Sequence, residues 1–155
     1  MGTVLAMPEV LSLAMHALVL LAKGEGKVMK SEEIAERIGC SHSNLVRSLQ
    51  MLKKAGLLKS EKGPGGGYSL ARPADTISLL EIHEATCGPL YSPGCGLREC
   101  RIEGCDLAWF SDHITEEFRR HFSKRTLAEL ADPSAHPKHL MVSIVQAERV
   151  PTIAD

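Results

Sequence analysis

Three cysteines in one short stretch, residues 94–105 (GCGLRECRIEGC), carry the clearest chemistry in this 155-residue sequence. Cys95, Cys100 and Cys105 are separated by four residues each, with Gly94, Gly96 and Gly104 beside them. Thiolates are soft donors, and a backbone with glycines can fold around an inorganic core, so the expected chemistry is metal or cluster ligation. Structural zinc usually takes cysteines paired in a tight knuckle, and no C-x-x-C pair occurs among Cys87, Cys95, Cys100 and Cys105. An iron–sulfur cluster, whose irons demand several sulfurs, suits the spacing better. Its rival is a thiol–disulfide switch, which nearby Arg98 and Arg101 would favour by stabilising thiolate. Three thiolates leave one ligand to find. Cys87 is nearest in sequence, while Glu9, Ser12 and His16 supply oxygen and nitrogen candidates. Cys40 stands apart and reads as a small buried residue.

The elements that must position these groups follow from periodicity. Residues 8–22 read as a helix that is apolar nearly all round, with Leu11, Ala14, Met15, Leu18 and Leu21 at helical spacing. Glu9, Ser12 and His16 form its one polar stripe, which faces either solvent or the cysteine loop. Ser31 is the expected cap of a second helix ending at Gly39, with Glu32 and Glu33 in its first turn. After a tight turn, Ser41 or Ser43 caps a third helix, stopped by Gly56, in which Leu45, Leu49 and Leu52 face inward. Its outward face then holds His42, Asn44, Arg47, Ser48, Gln50 and Lys54. Helix, short turn and helix is the helix-turn-helix arrangement, and such a face suits a major groove.

Strands over 57–60 and 68–71, joined by the glycine-rich turn 62–67, make a hairpin directly after the third helix. This is a winged helix. Its glycines let backbone approach a phosphate or a minor groove, and Lys62 and Arg72 add charge at the two bases. Residues 41–72 hold six basic side chains against Glu61 alone, a net charge of plus five in a chain whose total is minus one. Basic charge therefore gathers where a polyanion would bind. A phosphate-binding nucleotide loop would instead need Gly-Lys-Ser/Thr opening a helix.

Ser78 with Glu81 is a capping box that opens a helix running to Thr86. Beyond the cysteine loop, a long helix from Asp106 carries Leu107, Phe110, Ile114, Phe118 and Phe122 as one apolar stripe, which reads as a dimer seam. Thr126 and Glu129 cap a further short turn. The fold class expected is mainly α with a small β-hairpin wing: a winged helix-turn-helix over 1–87, a cysteine loop over 88–105, a dimerisation helix region over 106–131 and a tail open to disorder over 132–155. No run reaches the roughly 18 apolar residues of a membrane span, and residues 10–22 lack the preceding basic residues and the cleavage pattern of a signal peptide. With five cysteines, an odd number, the expectation is a reduced, cytoplasmic protein that does not engage membranes. The missing C-x-x-C pair and the complete wing weigh against a thiol redox enzyme, and no enzymatic role is expected.

The stretch AERIGCSHSNLVRSLQMLKKAGLLKSEKGPGGGYSLARPADTISLLEIHEA, followed by three cysteines and a long helix, resembles the winged-helix regulators of the IscR and NsrR type, the Rrf family. The resemblance covers residues 11–130. It implies a homodimer on a palindromic operator in double-stranded DNA and an iron–sulfur cluster, two-iron or four-iron, held by Cys95, Cys100 and Cys105. Regulation would change when that cluster is lost or modified by redox state, nitric oxide or iron–sulfur supply. By position, Ser43, Val46 and Arg47 match base-reading residues and Lys62 matches a basic wing residue. His16 aligns with a first-helix histidine of a redox-responsive member and is the fourth-ligand candidate. The sequence departs from the family at Val46, which is apolar, at Ser12 where an acidic residue is common, and at Ala108 where a histidine follows the third cysteine. The expected DNA-contacting set is Ser41, Ser43, Asn44, Arg47, Lys53, Lys54, Lys62, Gly65, Gly66 and Tyr68, and the dimer set is Leu107, Phe110, Ile114 and Phe118.

Overall fold

The computed structural model of the chain describes residues 7–24, 26–63, 65–92, 94, 102–103, 105–132 and 134. Among them run six α-helices and one two-stranded antiparallel hairpin. Helix α1 (Glu9–Lys23) is the centre: Leu11, Leu13, Ala14, Met15, Ala17, Leu18 and Leu21 are all buried. Ala14 and Ala17 are small enough to let neighbouring helices approach closely, and α3, α4 and α6 all pack on α1. A helix apolar on most faces has to be covered on most faces, so the order of the remaining elements follows from this one.

Helix α2 (Ser31–Ile38) ends at Gly39, whose φ of 73° is the left-handed conformation that closes a helix without a Cβ penalty. Ser31 is not its cap, as the sequence suggested. Lys30 holds the N-cap position without a side-chain bond, and the Ser31 hydroxyl instead meets Glu32 and His42. Helix α3 (His42–Lys54) buries Leu45, Leu49 and Leu52 completely and terminates before Gly56. Ser48 is a correction: it lies on the buried face at 0% exposure, not outward. Its position, three residues after Leu45 and one before Leu49, places it in the apolar stripe, and its hydroxyl donates to the Val10 carbonyl of α1 at 3.2 Å. A buried hydroxyl costs free energy unless it finds such a partner.

The hairpin comprises β1 (Leu58–Glu61) and β2 (Gly67–Leu70), paired from Leu58↔Leu70 to Glu61↔Gly67. Met29 extends it through two backbone hydrogen bonds with Tyr68. A Cβ at Gly67 would lie 2.4 Å from the Met29 carbonyl oxygen, and one at Gly66 would lie 2.2 Å from that of Glu61. These two glycines are therefore required by close backbone approach inside the domain.

After a 3-10 turn (Ala74–Thr76), helix α4 (Leu79–Cys87) opens with the expected capping box between Ser78 and Glu81. Helix α5 (Leu107–Lys124) starts after Asp106, and α6 (Leu127–Ala131) carries a second capping box, Thr126 with Glu129. The two boxes are neighbours. Ser78 and Thr126 form a β-bridge, Leu79 N–H donates to the Arg125 carbonyl, and Leu127 N–H donates to that of Ile77. Leu127, fully buried, brings the chain beyond α5 back into the common core.

Arg72 is committed here rather than to a ligand. Its guanidinium meets the Thr76 carbonyl and the Glu81 carboxylate, so it braces the start of α4. Partial burial raises the Glu81 pKa, but hydrogen bonds from the Ser78 N–H and hydroxyl, together with Arg72, outweigh it and hold the group below its ordinary 4.5. Glu81→Gln keeps an acceptor for the capping box but removes the charge that faces Arg72, so it should lower stability at neutral pH by about 0.5 kcal/mol, the scale of an exposed ion pair. A folded-state pKa that is depressed contributes fully above the ordinary value and is lost as pH falls through the folded one. Urea midpoints of the two proteins should accordingly converge below pH 4.5; an unchanged gap in acid would show that the carboxylate charge contributes nothing.

Candidate nucleic-acid interface and cysteine site

Helix α3 offers a polar outer face. Ser41, His42, Ser43, Asn44, Arg47, Gln50, Lys53 and Lys54 are exposed, while Val46 is half-buried. Ser41, at the N-cap, makes no side-chain cap, since its hydroxyl sits 2.9 Å from that of Ser43. The first-turn N–H groups of α3 therefore lack a side-chain acceptor from Ser41, an arrangement that favours anions. His42 Nε2 lies 3.0 Å from the Ser31 hydroxyl and 3.5 Å from a Glu32 oxygen, tying the start of α3 to that of α2. Backbone hydrogen bonding holds the Glu32 carboxyl below its ordinary range against the opposing effect of desolvation, and Ser31 and His42 add to the lowering.

Arg37, Arg72, Arg119, Arg120 and Arg125 each pair with a glutamate. Arg47, Lys53, Lys54, Lys59 and Lys62 are exposed and make no ion pair among the described residues. All five lie on α3 or the wing, whereas the other exposed lysines without an ion pair among the described residues, Lys23, Lys27, Lys30 and Lys124, are scattered over other parts of the chain, so the basic excess read from sequence coincides with the main gathering of unneutralised charge.

On the wing, Gly63 has φ 105° and, like Gly65, has open space where a Cβ would project. Gly66 and Tyr68, grouped with the DNA-facing residues by sequence, have internal duties as well. Gly66 accommodates the Glu61 carbonyl, and Tyr68 packs partly buried against the core. Lys62 stands exposed beside the turn.

The first turn of α1 reaches this surface too. Glu9 is exposed, and its carboxylate accepts from Asn44 Nδ2 at 3.1 Å. Glu9, Val10, Leu13, Asn44 and Arg47 together line a notch between α1 and α3. One residue on, Val10 receives the Ser48 hydroxyl. Sequence reasoning missed this junction, because the pairs are 35 and 38 residues apart and leave no local signature.

Of the cysteine site, Cys95 and Cys100 lie outside the described residues. Cys105 is an exposed free thiol directly before Asp106, the residue preceding α5. Cys87 is exposed at the end of α4, with the Thr86 hydroxyl 3.7 Å from its sulfur, and Cys40 packs half-buried against the core. His16 is exposed on α1. Its Nδ1 lies 2.7 Å from the Ser12 carbonyl oxygen, which can only accept, so Nδ1 carries the proton and Nε2 is left with the lone pair a metal would need. Among the described residues no three His, Cys, Asp or Glu side chains converge as a metal site.

The stripe on α5 splits in two. Phe118 and Phe122 stack at 4.1 Å and meet the His83 ring edge-on, fastening the C-terminal half of α5 to α4. Leu107, Phe110 and Ile114 are 51%, 54% and 51% exposed, and Trp109 stacks on His113 beside them. An apolar cavity of about 420 Å³ opens between the start of α1, His83 of α4, the segment at Leu90 and Tyr91, and α5. Among the described residues no helix is long and apolar enough to cross a membrane.

Comparison with known proteins accords with this architecture. The HTH-type transcriptional regulator IscR of Cereibacter sphaeroides is 43% identical over 75 residues, covering 46% of this chain and 48% of that protein, about half its length. The solved structure of CymR, described as the global cysteine regulator of B. subtilis, superposes with a TM-score of 0.69 at 27% identity, over 82% of this chain and 96% of the other. IscR of T. potens superposes with a TM-score of 0.67 at 26% identity, over 90% and 97% respectively. The Rrf2 family profile, described as that of an iron-dependent transcriptional regulator, matches residues 8–133, and by that match over most of its length the chain belongs to the Rrf2 family of transcriptional regulators.

Proposed function

We propose that this protein is a homodimeric regulator that binds a palindromic operator through α3 and the wing and responds to redox state, nitric oxide or iron–sulfur status through a cluster held by Cys95, Cys100 and Cys105. The observation that carries the DNA-binding part is the gathering of unpaired cations, Arg47, Lys53, Lys54, Lys59 and Lys62, on α3 and the wing. Arg47 and Ser43 project from α3 toward base edges, the α3 N-terminus and Lys53 and Lys54 meet phosphates, and Lys62 with the open glycine turn at Gly63 and Gly65 follows the backbone beside the groove.

For the sensing part, three thiolates suit the soft-ligand demand of iron–sulfur chemistry, and the exposed Cys105 thiol is available for it. His16 Nε2 is the fourth donor proposed. Bound there, a cluster would supply a centre sensitive to oxidation and nitrosylation. The residues of the chain then do the coupling. Cys105 fixes the start of α5, Leu107, Phe110 and Ile114 meet the partner subunit, and Phe118 and Phe122 hold the far end of α5 on the winged domain. The separation of two recognition helices across the dimer therefore depends on how Cys105 is held. A second reading keeps the regulator and replaces the cluster by a thiol switch. It is favoured by the exposed free thiols of Cys87 and Cys105 and by the likeness to a cysteine regulator.

Three outcomes are expected. Lys62→Ala should weaken binding to all duplex sequences alike and reduce the slope of log affinity against log salt by about 1, whereas Arg47→Ala should cost about 1–3 kcal/mol mainly on the preferred operator; binding that does not respond to salt would remove the phosphate-contact reading. Ile114→Asp should turn a dimer into a monomer in sedimentation equilibrium while the circular dichroism stays helical; a wild-type protein that is already monomeric would exclude the seam on α5. Purified without oxygen, the wild type should be brown with iron and acid-labile sulfide, and Cys100→Ala colourless. A colourless wild type from iron-replete cells would favour the thiol switch and leave DNA binding intact.

A further inference from the structure

We infer that Glu9, on the first turn of α1, is a specificity-determining positioning residue: it fixes the orientation of the Asn44 carboxamide so that one polar atom, its oxygen, is turned away from α1 toward a base edge. This rests on the DNA-binding reading above. Asn44 is exposed on the flank of α3 between Ser43 and Arg47, and its Nδ2 donates to Glu9 Oε1 at 3.1 Å. An ionised carboxylate only accepts, so the amide must present its NH2 group to Glu9 and cannot turn over without placing two acceptors together.

The lock is anchored on both sides. The next residue, Val10, accepts the hydroxyl of fully buried Ser48, so the backbone that carries Glu9 is held against α3 one turn beyond Asn44. Arg47 lines the same notch as Glu9 and Asn44. An exposed asparagine ordinarily samples both amide orientations and reads a donor or an acceptor with equal ease. Held by Glu9, Asn44 offers its oxygen outward and is matched to the exocyclic amino group of adenine or cytosine, against the carbonyl oxygens of thymine and guanine. A carboxylate beside the DNA face also repels phosphate, which weakens binding to every sequence alike and is separable from base choice.

The test is selection from a randomised double-stranded DNA pool with the full-length wild type, Glu9→Gln and Asn44→Ala. Affinities for the selected duplex and its single-base variants are then measured at one salt concentration. The expected wild-type result is a preference of about tenfold for adenine or cytosine at one position on one strand of each half-site. Glutamine keeps the size and a hydrogen bond to Asn44 but can donate as well as accept, so the amide is free to turn. Glu9→Gln should therefore flatten that one position to near unity while raising affinity for all duplexes, and Asn44→Ala should flatten the same position. The inference is overturned if Glu9→Gln changes only overall affinity, or if Asn44→Ala weakens all sequences equally, the mark of a phosphate contact. A wild type that selects no sequence removes the DNA-binding reading itself, and this inference with it.

Discussion

Burial of α1 is the constraint on which the rest of this structure depends. Seven of its fifteen residues are buried, distributed round the helix rather than along one stripe, so no single neighbour can cover it. Helices α3, α4 and α6 share that surface, with Leu49, Ile82 and Leu127 fully buried among them. Since interiors are close-packed and transmit displacement, the position of α3 is tied to that of α4 and α6 through one common element. The early part of α1 is also where the apolar rule breaks down, and the polar groups there are the ones that reach α3: Glu9 to Asn44, and the Val10 carbonyl to Ser48.

Electrostatics then separates two surfaces that packing alone leaves equivalent. Arg37, Arg119, Arg120 and Arg125 sit beside glutamates three or four residues away, and Arg72 meets Glu81 across a short turn. Such exposed pairs contribute little to stability but they cancel charge locally. On α3 and the wing the acidic partners are missing apart from Glu61, and the cations remain available to a polyanion. With a total charge of minus one, the chain achieves a basic face by segregation rather than by excess, which limits attraction to polyanions elsewhere on the molecule.

What the sequence disclosed and what it hid follow the range of the interactions. Features set by a few adjacent residues were legible: the Gly39 and Gly56 helix ends, the Ser78–Glu81 and Thr126–Glu129 capping boxes, and the hairpin, whose strands are displaced by one residue from the expected ranges. The inward leucines of α3 were legible too, but Ser48 was not, because its burial depends on a carbonyl supplied by another helix. Arg72 looked like a wing cation because its charge is visible in sequence and its partner Glu81 is nine residues away across a turn. The stripe on α5 was correct as a pattern and divided in fact, since only its last turns meet α4. The return of α6 to the core rests on backbone pairing between residues some fifty apart, which no periodicity reveals.

That division of α5 bears on how a cysteine loop would speak to DNA under the proposed function. A helix clamped at one end by Phe118 and Phe122, and about half exposed at Leu107 and Phe110, would behave under that proposal as an arm whose outer end is placed by whatever holds Cys105 and by a partner subunit. Ile114 of that arm lines the same cavity as Met7, Pro8 and Leu11 at the start of α1. Glu9 and Val10 lie between those residues and are the ones bonded to α3. A shift of the arm that closed or opened the cavity would thus press on the single helical turn that also orients Asn44. No long relay would be needed, because one turn of α1 borders the cavity shared with α5 and is hydrogen-bonded to α3. Under the proposed function the coupling would act through differential packing in two arm positions, with its size bounded by what that turn can lose in contacts, the differential interaction that any population shift requires.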